Sequence, residues 1–158
     1  MPPSKEYSEF LTKFPALQAI GNTPMVKVDL GLDIGSSQIF AKCEHLNPGG
    51  SIKDRPVLKM LAGAILSGAL TKDKIILDAT SGNAGIAYAM IGAVLGYRVK
   101  LVIPEHASEE RKKRIRAHGA EMVFTDPMLG YDETLREVKR RYERDKAKYF
   151  YCDQYGNQ

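Results

Sequence analysis

Short apolar segments alternate along the chain with longer segments in which apolar residues recur every three or four positions. The short segments predict β-strands and the longer ones predict amphipathic helices. In chain order, the pattern predicts a helix at Tyr7–Ala19, strands at Met25–Val28 and Ile39–Glu44, and a helix from near Lys53 to Gly68. Strands follow at Ile75–Leu77, Val99–Ile103, Met122–Phe124 and Tyr149–Tyr151, with helices at Asn83–Leu95, Ser108–Ala117 and Tyr131–Asp145 between them.

This alternation predicts the fold class. Strands joined through helices need right-handed crossover connections, which place them side by side and parallel. We therefore expect an α/β fold with three layers (αβα), in which helices cover both faces of a mostly parallel, open sheet. Pro56 lacks an N–H group and is tolerated only in the first turn of a helix, so one helix should begin close to Lys53. Ser108 is the expected N-cap of the helix predicted at Ser108–Ala117.

The bulk composition is that of an ordinary globular domain, with 158 residues, of which 44% are hydrophobic and 27% charged. The longest mainly apolar stretch, Ile86–Leu95, is too short to span a bilayer, and Met1–Glu6 is not an apolar signal region. We therefore expect a cytoplasmic protein with no membrane partner. Cys43 and Cys152 lie in predicted strands without a Cys-x-x-Cys spacing or a histidine cluster, which predicts reduced, packed thiols and no metal site.

The net charge is +4, and basic residues concentrate at 111–116 and 136–148. A basic cluster can indicate a nucleic-acid site. Acidic residues are interleaved with both clusters, namely Glu109, Glu110, Glu137, Glu143 and Asp145. Interleaved charges are typical of a solvated helix face with ion pairs, so we expect no nucleic-acid partner.

Two runs carry the candidate chemistry, Asn47–Arg55 and Thr80–Gly85. Ligands of parallel sheets bind at the carboxyl ends of strands, where loops lead into helices, and both runs are expected there. In the second run, glycines let the backbone approach a ligand, and unpaired N–H groups at a helix start favour a carboxylate or a phosphate. The alternative interpretation is a tight glycine turn capped by Ser or Thr.

Lys53 is the candidate nucleophile of the first run. A lone lysine is usually a surface residue, but a helix start and the neighbouring cation Arg55 both disfavour the ammonium form. An amine that can form an imine beside a carboxylate site is the chemistry of a pyridoxal phosphate enzyme. A nucleotide-binding oxidoreductase is disfavoured, because the sequence lacks Gly-x-Gly-x-x-Gly after the strand and a phosphate-loop motif around Lys53.

Several motifs occur in order over nearly the whole chain: Gly21–Pro24, Asn47–Arg55, Thr80–Ile86, Pro104–Glu105, Glu110–Arg111, Gly119–Glu121 and Asp153–Tyr155. With these motifs the chain resembles the N-terminal half of the cysteine synthase and cystathionine β-synthase family, the fold-type-II pyridoxal phosphate enzymes. The relatives continue for roughly as long again, and the resemblance assigns to that part the loop around the cofactor's phosphate and a serine at its ring nitrogen.

The resemblance implies a role for each matching residue. Lys53 matches the lysine that forms a Schiff base with the cofactor, pyridoxal 5'-phosphate, and later moves the α-proton of the substrate. Asn83 matches a residue that hydrogen-bonds the cofactor's phenolic oxygen. The substrate carboxylate is expected to contact Thr80, Ser81, Gly82, Asn83, Ala84 and Gln154. Many relatives carry Thr where this chain has Ala84, so one hydroxyl group is missing while the backbone N–H remains.

The implied reaction is β-replacement, in which an activated serine loses its β-substituent and a sulfide or thiol adds to give cysteine or a related thioether. The implied partners are an amino-acid substrate, a sulfur donor and a second subunit in a homodimer. Residues 1–40 would belong to a larger domain, residues 41–150 would form a smaller α/β domain, and residues 151–158 would begin the return. Two alternatives stay open: cystathionine β-synthase-like activity, and a non-catalytic half-protein that binds a partner or a small anion and exposes an apolar patch.

Overall fold

The computed structural model describes residues 4–31, 35–154 and 156. Tyr155 and the outermost residues of the predicted domains lie outside the described residues. The helices are α1 (Lys5–Thr12), α2 (Pro15–Gln18), α3 (Asp54–Leu66), α4 (Asn83–Leu95), α5 (Glu109–Ala117) and α6 (Gly130–Arg144). The strands are β1 (Met25–Val28), β2 (Ile39–Lys42), β3 (Ile75–Ala79), β4 (Val99–Pro104), β5 (Glu121–Thr125) and β6 (Tyr149–Tyr151).

Four parallel strands form the main sheet in the order β5-β4-β3-β6. Every residue of β3 is buried, because both of its faces are covered. Ile76 belongs to a core shared with α3, α4 and α5, whereas Ile75 and Leu77 pack with Val138 of α6 on the opposite face. The predicted three-layer α/β fold with a parallel sheet is therefore confirmed.

The first two strands depart from the parallel pattern. β1 and β2 form a separate antiparallel hairpin, with Met25 paired to Lys42 and Val28 paired to Ile39. No helix connects them, and parallel pairing needs a long crossover, so the antiparallel arrangement is the expected one for this spacing. Cys43 lies just beyond the end of β2 and Cys152 just beyond the end of β6, so neither lies in a strand as predicted.

The N-terminal helix is interrupted. The apolar pattern predicts one helix over Tyr7–Ala19, but α1 ends at Thr12 and α2 begins at Pro15. Proline has no N–H group and disfavours the helical conformation of the residue before it, and Phe14 is accordingly non-helical, with φ −133° and ψ 77°. Phe10 and Leu17 still bury their side chains in the larger core, which explains why the apolar spacing continues across the break.

The surface and core helices differ in polarity. On α6, Glu133 and Glu137 form ion pairs with three arginines of the same helix, as interleaved charges predict. Ten of the 13 residues of α4 are buried, which makes it the central helix of its layer.

None of the helices within residues 4–31 and 35–154 has both the length and the apolar character needed to cross a membrane.

The close packing of α4 on the sheet leads to a prediction at Gly92. A Cβ atom there would lie 2.3 Å from Cγ2 of Val99, and we expect Gly92→Ala to lower the free energy of unfolding by about 1–3 kcal/mol. Gly63→Ala in α3 is the control, because its Cβ would meet open space and should stabilise the helix by up to about 1 kcal/mol. Urea denaturation of the chain measures both changes, and equal stabilities would contradict the packing described.

Candidate active site

A pocket of about 110 Å³ lies where β3 ends and α4 begins. Its lining includes all seven residues selected from the sequence: Lys53, Thr80, Ser81, Gly82, Asn83, Ala84 and Gln154. Ala79 and Tyr131 complete the lining. The structure therefore brings the lysine, the turn at 80–84 and the glutamine together, while their individual roles stay predictions.

The turn after β3 is held in shape by Thr80. This side chain is 3% exposed, and its Oγ1 atom accepts hydrogen bonds from the N–H groups of Gly82 (3.2 Å) and Gly85 (3.0 Å). A Cβ atom at Gly85 would lie 2.5 Å from Cγ2 of Thr80 and 2.9 Å from Cδ1 of Ile115. Glycine is therefore required at position 85, because the helix start packs directly onto the threonine.

Two backbone donors of this turn remain available. Asn83 and Ala84 are the first two residues of α4, and among the described residues their N–H groups have no hydrogen-bond acceptor. The positive end of the helix dipole lies at the same point, which favours an anion. The two interpretations of the turn are thus compatible, since Thr80 acts as a cap for Gly85 and leaves the preceding donors free for a ligand.

The Lys53 loop has a different origin from that predicted. It follows the antiparallel strand β2 through a 3₁₀ turn at Glu44–Leu46, and not a strand of the parallel sheet. Lys53 is half-buried directly before α3, which begins at Asp54 as Pro56 predicts, and its N–H group donates to Oγ of Ser51 (3.1 Å). Since no parallel strand positions this loop, side-chain contacts must do so.

Asp54 supplies one of these contacts. Its carboxylate is fully buried and accepts a hydrogen bond from the N–H group of Gly49. A Cβ atom at Gly49 would lie 2.2 Å from Oδ1 of Asp54, so only glycine fits against the carboxylate. Burial raises the pKa of Asp54, and the nearby guanidinium of Arg114 opposes that rise.

Helix α5 contacts both loops. Nη2 of Arg114 donates to the carbonyl oxygen of Gly49 (2.9 Å), in the lysine loop. One turn earlier, Nη1 of Arg111 lies 3.4 Å from the carbonyl oxygen of Ser81, in the turn after β3. One helix therefore links the two sides of the pocket.

Arg55 is bound to Glu44. Its Nε and Nη2 atoms donate to the two carboxylate oxygens of Glu44, each at 2.8 Å, and Nη2 also donates to Oγ1 of Thr23 (3.0 Å). The interpretation of Arg55 as a cation acting on the Lys53 amine is therefore not supported, because its charge is paired in a bidentate contact. Its observed contacts support the loop instead.

The motif at Gly21–Pro24 belongs to the same network. The side chain of Asn47 donates to the backbone oxygen of Glu44 (2.8 Å) and accepts from the N–H group of Gly21 (2.8 Å). Gly21 has φ +91°, and a Cβ atom there would lie 2.8 Å from Nη1 of Arg55. The N-terminal motif thus supports the lysine loop from outside the pocket.

Tyr131 is the lining residue that sequence reasoning missed. It follows Gly130 at the start of α6, and its hydroxyl group donates to the carbonyl oxygen of Ala79 (3.2 Å). Because α6 begins just after the carboxyl end of β5, its first turn lies at the same edge of the sheet as the turn after β3. That topological position was the available signal, and it became usable only once the strand order was known.

The bidentate contact predicts a dependence on pH. Hydrogen bonds from Arg55 lower the pKa of Glu44 from 4.5 to about 2. A carboxyl group with a lowered pKa stabilises the fold above its ordinary pKa, and this stability is lost as the pH falls towards about 2. We expect Glu44→Gln to lower the urea midpoint of the chain at pH 7, and the difference from wild type to shrink as the pH falls from 4.5 to about 2.

The control is Glu143→Gln. Glu143, near the end of α6, pairs on the exposed surface with Lys146, which follows the helix, and isolated surface pairs contribute little to stability. The Glu143 variant should unfold close to wild type at pH 7. A Glu44 variant that behaves in the same way would show that the network does not stabilise the loop.

Comparison with known proteins relates the pocket to a family. The sequence model described as "Pyridoxal-phosphate dependent enzyme" matches residues 16–158. A cysteine synthase of Aquifex aeolicus is 46% identical over 147 residues, which cover 89% of this chain and 44% of that protein. The chain thus spans less than half the length of this relative.

Similarity to solved structures relates the chain to the same kind of enzyme. A hydrogen sulfide-producing enzyme from Fusobacterium nucleatum superposes with a TM-score of 0.82 at 42% identity, covering 90% of this chain and 47% of that one. A cysteine synthase from Entamoeba histolytica superposes with a TM-score of 0.83 at 36% identity, covering 90% and 43%. The chain therefore belongs to the family of pyridoxal-phosphate dependent enzymes and has the fold-type-II architecture of the cysteine synthases that it resembles.

Proposed function

We propose that the protein carrying this chain is a cysteine-synthase-like enzyme that performs β-replacement on an activated serine. The observation that carries the proposal is the shared pocket of the Lys53 amine and the turn at 80–84. An amine beside unpaired N–H donors suits a substrate in which an amino group and a carboxylate are attached to one carbon. The relatives named cysteine synthase support cysteine as the product and a sulfur donor as the second substrate.

The described residues fit one end of pyridoxal phosphate. Lys53 offers an amine for the cofactor's carbonyl carbon, and the exposed Asn83 offers an amide donor for the neighbouring phenolic oxygen. The pocket volume of about 110 Å³ is well below the roughly 300 Å³ at which ligand pockets usually begin. Among the residues that the structure describes, no arginine and no second lysine lines it, so these residues fit the reactive end of the cofactor and the substrate carboxylate rather than the phosphate group.

When bound, the cofactor supplies an electron sink that stabilises negative charge at the substrate's α-carbon. Nζ of Lys53 holds the cofactor and, once released, takes the proton from the α-carbon as a general base. The N–H groups of Asn83 and Ala84 bind the substrate carboxylate and so orient the α-carbon towards Lys53. Gln154 and the Ser81 hydroxyl group offer further donors at the same end of the pocket.

The assembly of the whole protein is part of the proposal. We expect a cytoplasmic homodimer, in line with the resemblance and with two cysteines that form no disulfide. Large apolar side chains of the hairpin are exposed, among them Met25 (64%), Val26 (47%) and Phe40 (51%), and a two-stranded hairpin is marginally stable alone. This exposure supports a contact with a further part of the protein or with a second subunit.

The same hairpin supports a domain division close to the proposed one of residues 1–40, 41–150 and 151–158, with the first boundary after Lys42, because all of β2 pairs with β1. β1 and β2 make no strand pairing with the main sheet, which suits membership of another domain. Helices α1 and α2 pack on α3 and α4, so the boundary would pass through this contact.

The role of Lys53 is tested by trapping. In the gene product that carries these residues, borohydride treatment after addition of pyridoxal phosphate should attach the cofactor to Lys53, because reduction makes an imine permanent. Lys53→Ala should abolish the adduct and activity, whereas Lys59→Ala, which alters an exposed lysine of α3, should change neither by more than about two-fold. Peptide mass spectrometry locates the adduct, and a Lys53→Ala protein that still forms it at wild-type yield would refute the assignment.

The 158-residue chain alone should bind the cofactor weakly. Its described pocket residues include no phosphate-binding set, and a phosphate bound by several charge-assisted hydrogen bonds contributes much of a cofactor's affinity. Absorbance titration of the chain with pyridoxal phosphate should therefore give a dissociation constant at least ten-fold higher than the same titration of the gene product. Tight, stoichiometric binding by the chain would show that the pocket is more complete than proposed.

A further inference from the structure

A buried carboxylate lies beside the pocket without lining it. Asp78 is 2% exposed in the central strand β3, and its side chain points to the same face as Ile76, towards α4. An acidic side chain in the middle of a parallel sheet is unusual unless donors compensate for its lost hydration. The donors to Asp78 indicate what it does.

Three donors from different elements meet at Asp78. Its Oδ1 atom accepts from the N–H group of Ala79 (2.8 Å), at the end of β3. Its Oδ2 atom accepts from the hydroxyl group of Tyr88 (2.5 Å), on α4. The backbone N–H group of Gln154, after β6, also faces this carboxylate and lowers its pKa. One side chain therefore ties together the strand that leads into the turn at 80–84 and the segment that carries Gln154.

Tyr88 and Cys152 complete this cluster. Tyr88 is fully buried and also hydrogen-bonds the buried thiol of Cys152. The single hydroxyl hydrogen of Tyr88 points to Asp78, which leaves the phenolic oxygen as an acceptor. Burial raises the pKa of Tyr88 and of Cys152, so both keep their protons near neutral pH. Together they fix the orientation of the carboxylate from the core side.

The backbone before Gln154 is held in an uncommon conformation. Asp153 has φ +48°, in the left-handed region that residues with a side chain seldom adopt. Its Oδ1 atom accepts a hydrogen bond from the hydroxyl group of Tyr151 (3.1 Å). Such a conformation persists only where surrounding contacts stabilise it, and the bond from Gln154 to Asp78 is one such contact.

We propose that Asp78 is a positioning residue, whose carboxylate holds Gln154 against the turn at 80–84 so that both contact the same ligand carboxylate. The identity of that ligand, an amino acid, rests on the proposed function, whereas the coupling of Gln154 to the turn does not. Neither loop could then move without breaking a buried, charge-assisted hydrogen bond.

The arrangement predicts a pH dependence in the weakly acidic range. Burial raises the pKa of Asp78 to about 6, and the negative charge of Asp153 adds to the rise, while the bonds from Tyr88, Ala79 and Gln154 oppose it. The titratable groups that face Asp78 are Tyr88 on α4, Tyr151 at the end of β6, and Cys152 and Asp153 directly after it. Because this pKa is raised, the stability that protonated Asp78 contributes is lost as the pH rises from 3.8 to about 6. The ionised form carries acceptors only, and it binds the donors more strongly.

The coupling can be observed in the isotopically labelled chain by NMR. In the wild type, the amide resonances of Ala79 and Gln154 should titrate together with a midpoint near pH 6. Asp78→Asn should abolish this titration, and both Asp78→Asn and Tyr88→Phe should speed hydrogen exchange at the Gln154 amide by about ten-fold or more, as expected for loss of a bond to a charged group.

Tyr97→Phe is the matched control. Tyr97 is another buried tyrosine of the same layer, but its hydroxyl group donates to the carbonyl oxygen of Leu70 (3.3 Å). This variant should leave the hydrogen-exchange rate of the Gln154 amide unchanged. An equal rise of this exchange rate in Tyr97→Phe, or no rise in Tyr88→Phe, would overturn the proposal. If Asp78→Asn does not fold, Tyr88→Phe decides, and an unchanged hydrogen-exchange rate at its Gln154 amide overturns the proposal.

A functional measurement separates this proposal from the proposed function. In the gene product loaded with pyridoxal phosphate, Tyr88→Phe should raise the KM for O-acetyl-L-serine about ten-fold, with the borohydride-trapped fraction of Lys53 unchanged. An unchanged KM would contradict the positioning role. If Lys53 is never trapped, the proposed function fails, and the NMR result still decides whether Asp78 positions Gln154.

Discussion

The bidentate contact between Arg55 and Glu44 is the interaction on which the position of Lys53 depends. The lysine loop follows an antiparallel strand outside the main sheet, so strand pairing cannot place it at the carboxyl edge of β3. Glu44 connects Arg55 at the start of α3 to Asn47 in the loop and to Thr23 in the N-terminal segment. The buried Asp54 and Arg114 hold the glycine turn from the other side.

The turn after β3 is placed by different means. The parallel sheet positions its first residue, since the N–H group of Thr80 donates to the carbonyl oxygen of Val102 on the neighbouring strand (3.0 Å). Thr80 then satisfies Gly82 and Gly85, which leaves the first donors of α4 for a ligand. The site therefore combines a loop held by buried polar side chains with a turn held by the sheet, and α5 contacts both. The proposed function accounts for this degree of support, because small displacements of reacting groups have large effects on catalysis.

Much of the fold could be predicted from the sequence, and the reasons for success and failure are specific. From Ile75 onwards, apolar strands and helices alternate without interruption, so the parallel sheet followed from periodicity and crossover geometry. Pro56 placed the start of α3 correctly. Pro15 carried equal information, but the apolar spacing across it, due to Phe10 and Leu17 packing in one core, suggested a continuous helix. Pro15 breaks the helix locally, whereas the packing of Phe10 and Leu17 in one core preserves the apolar spacing.

The site was predictable to the extent that its residues lie in contiguous motifs. The seven selected residues line one pocket, but Tyr131 and Glu44 could not be found, because their roles arise from strand order and from long-range contacts. The central claim is that the Lys53 amine and the donors of Asn83 and Ala84 form one site, so that a cofactor bound to Lys53 lies against the turn at 80–84. It is tested most directly by NMR of the chain after borohydride has fixed pyridoxal phosphate on Lys53. The amide resonances of Asn83, Ala84 and Gln154 should shift while those at the end of α6 stay in place, and unchanged resonances at Asn83 and Ala84 in the fully modified chain would contradict the account.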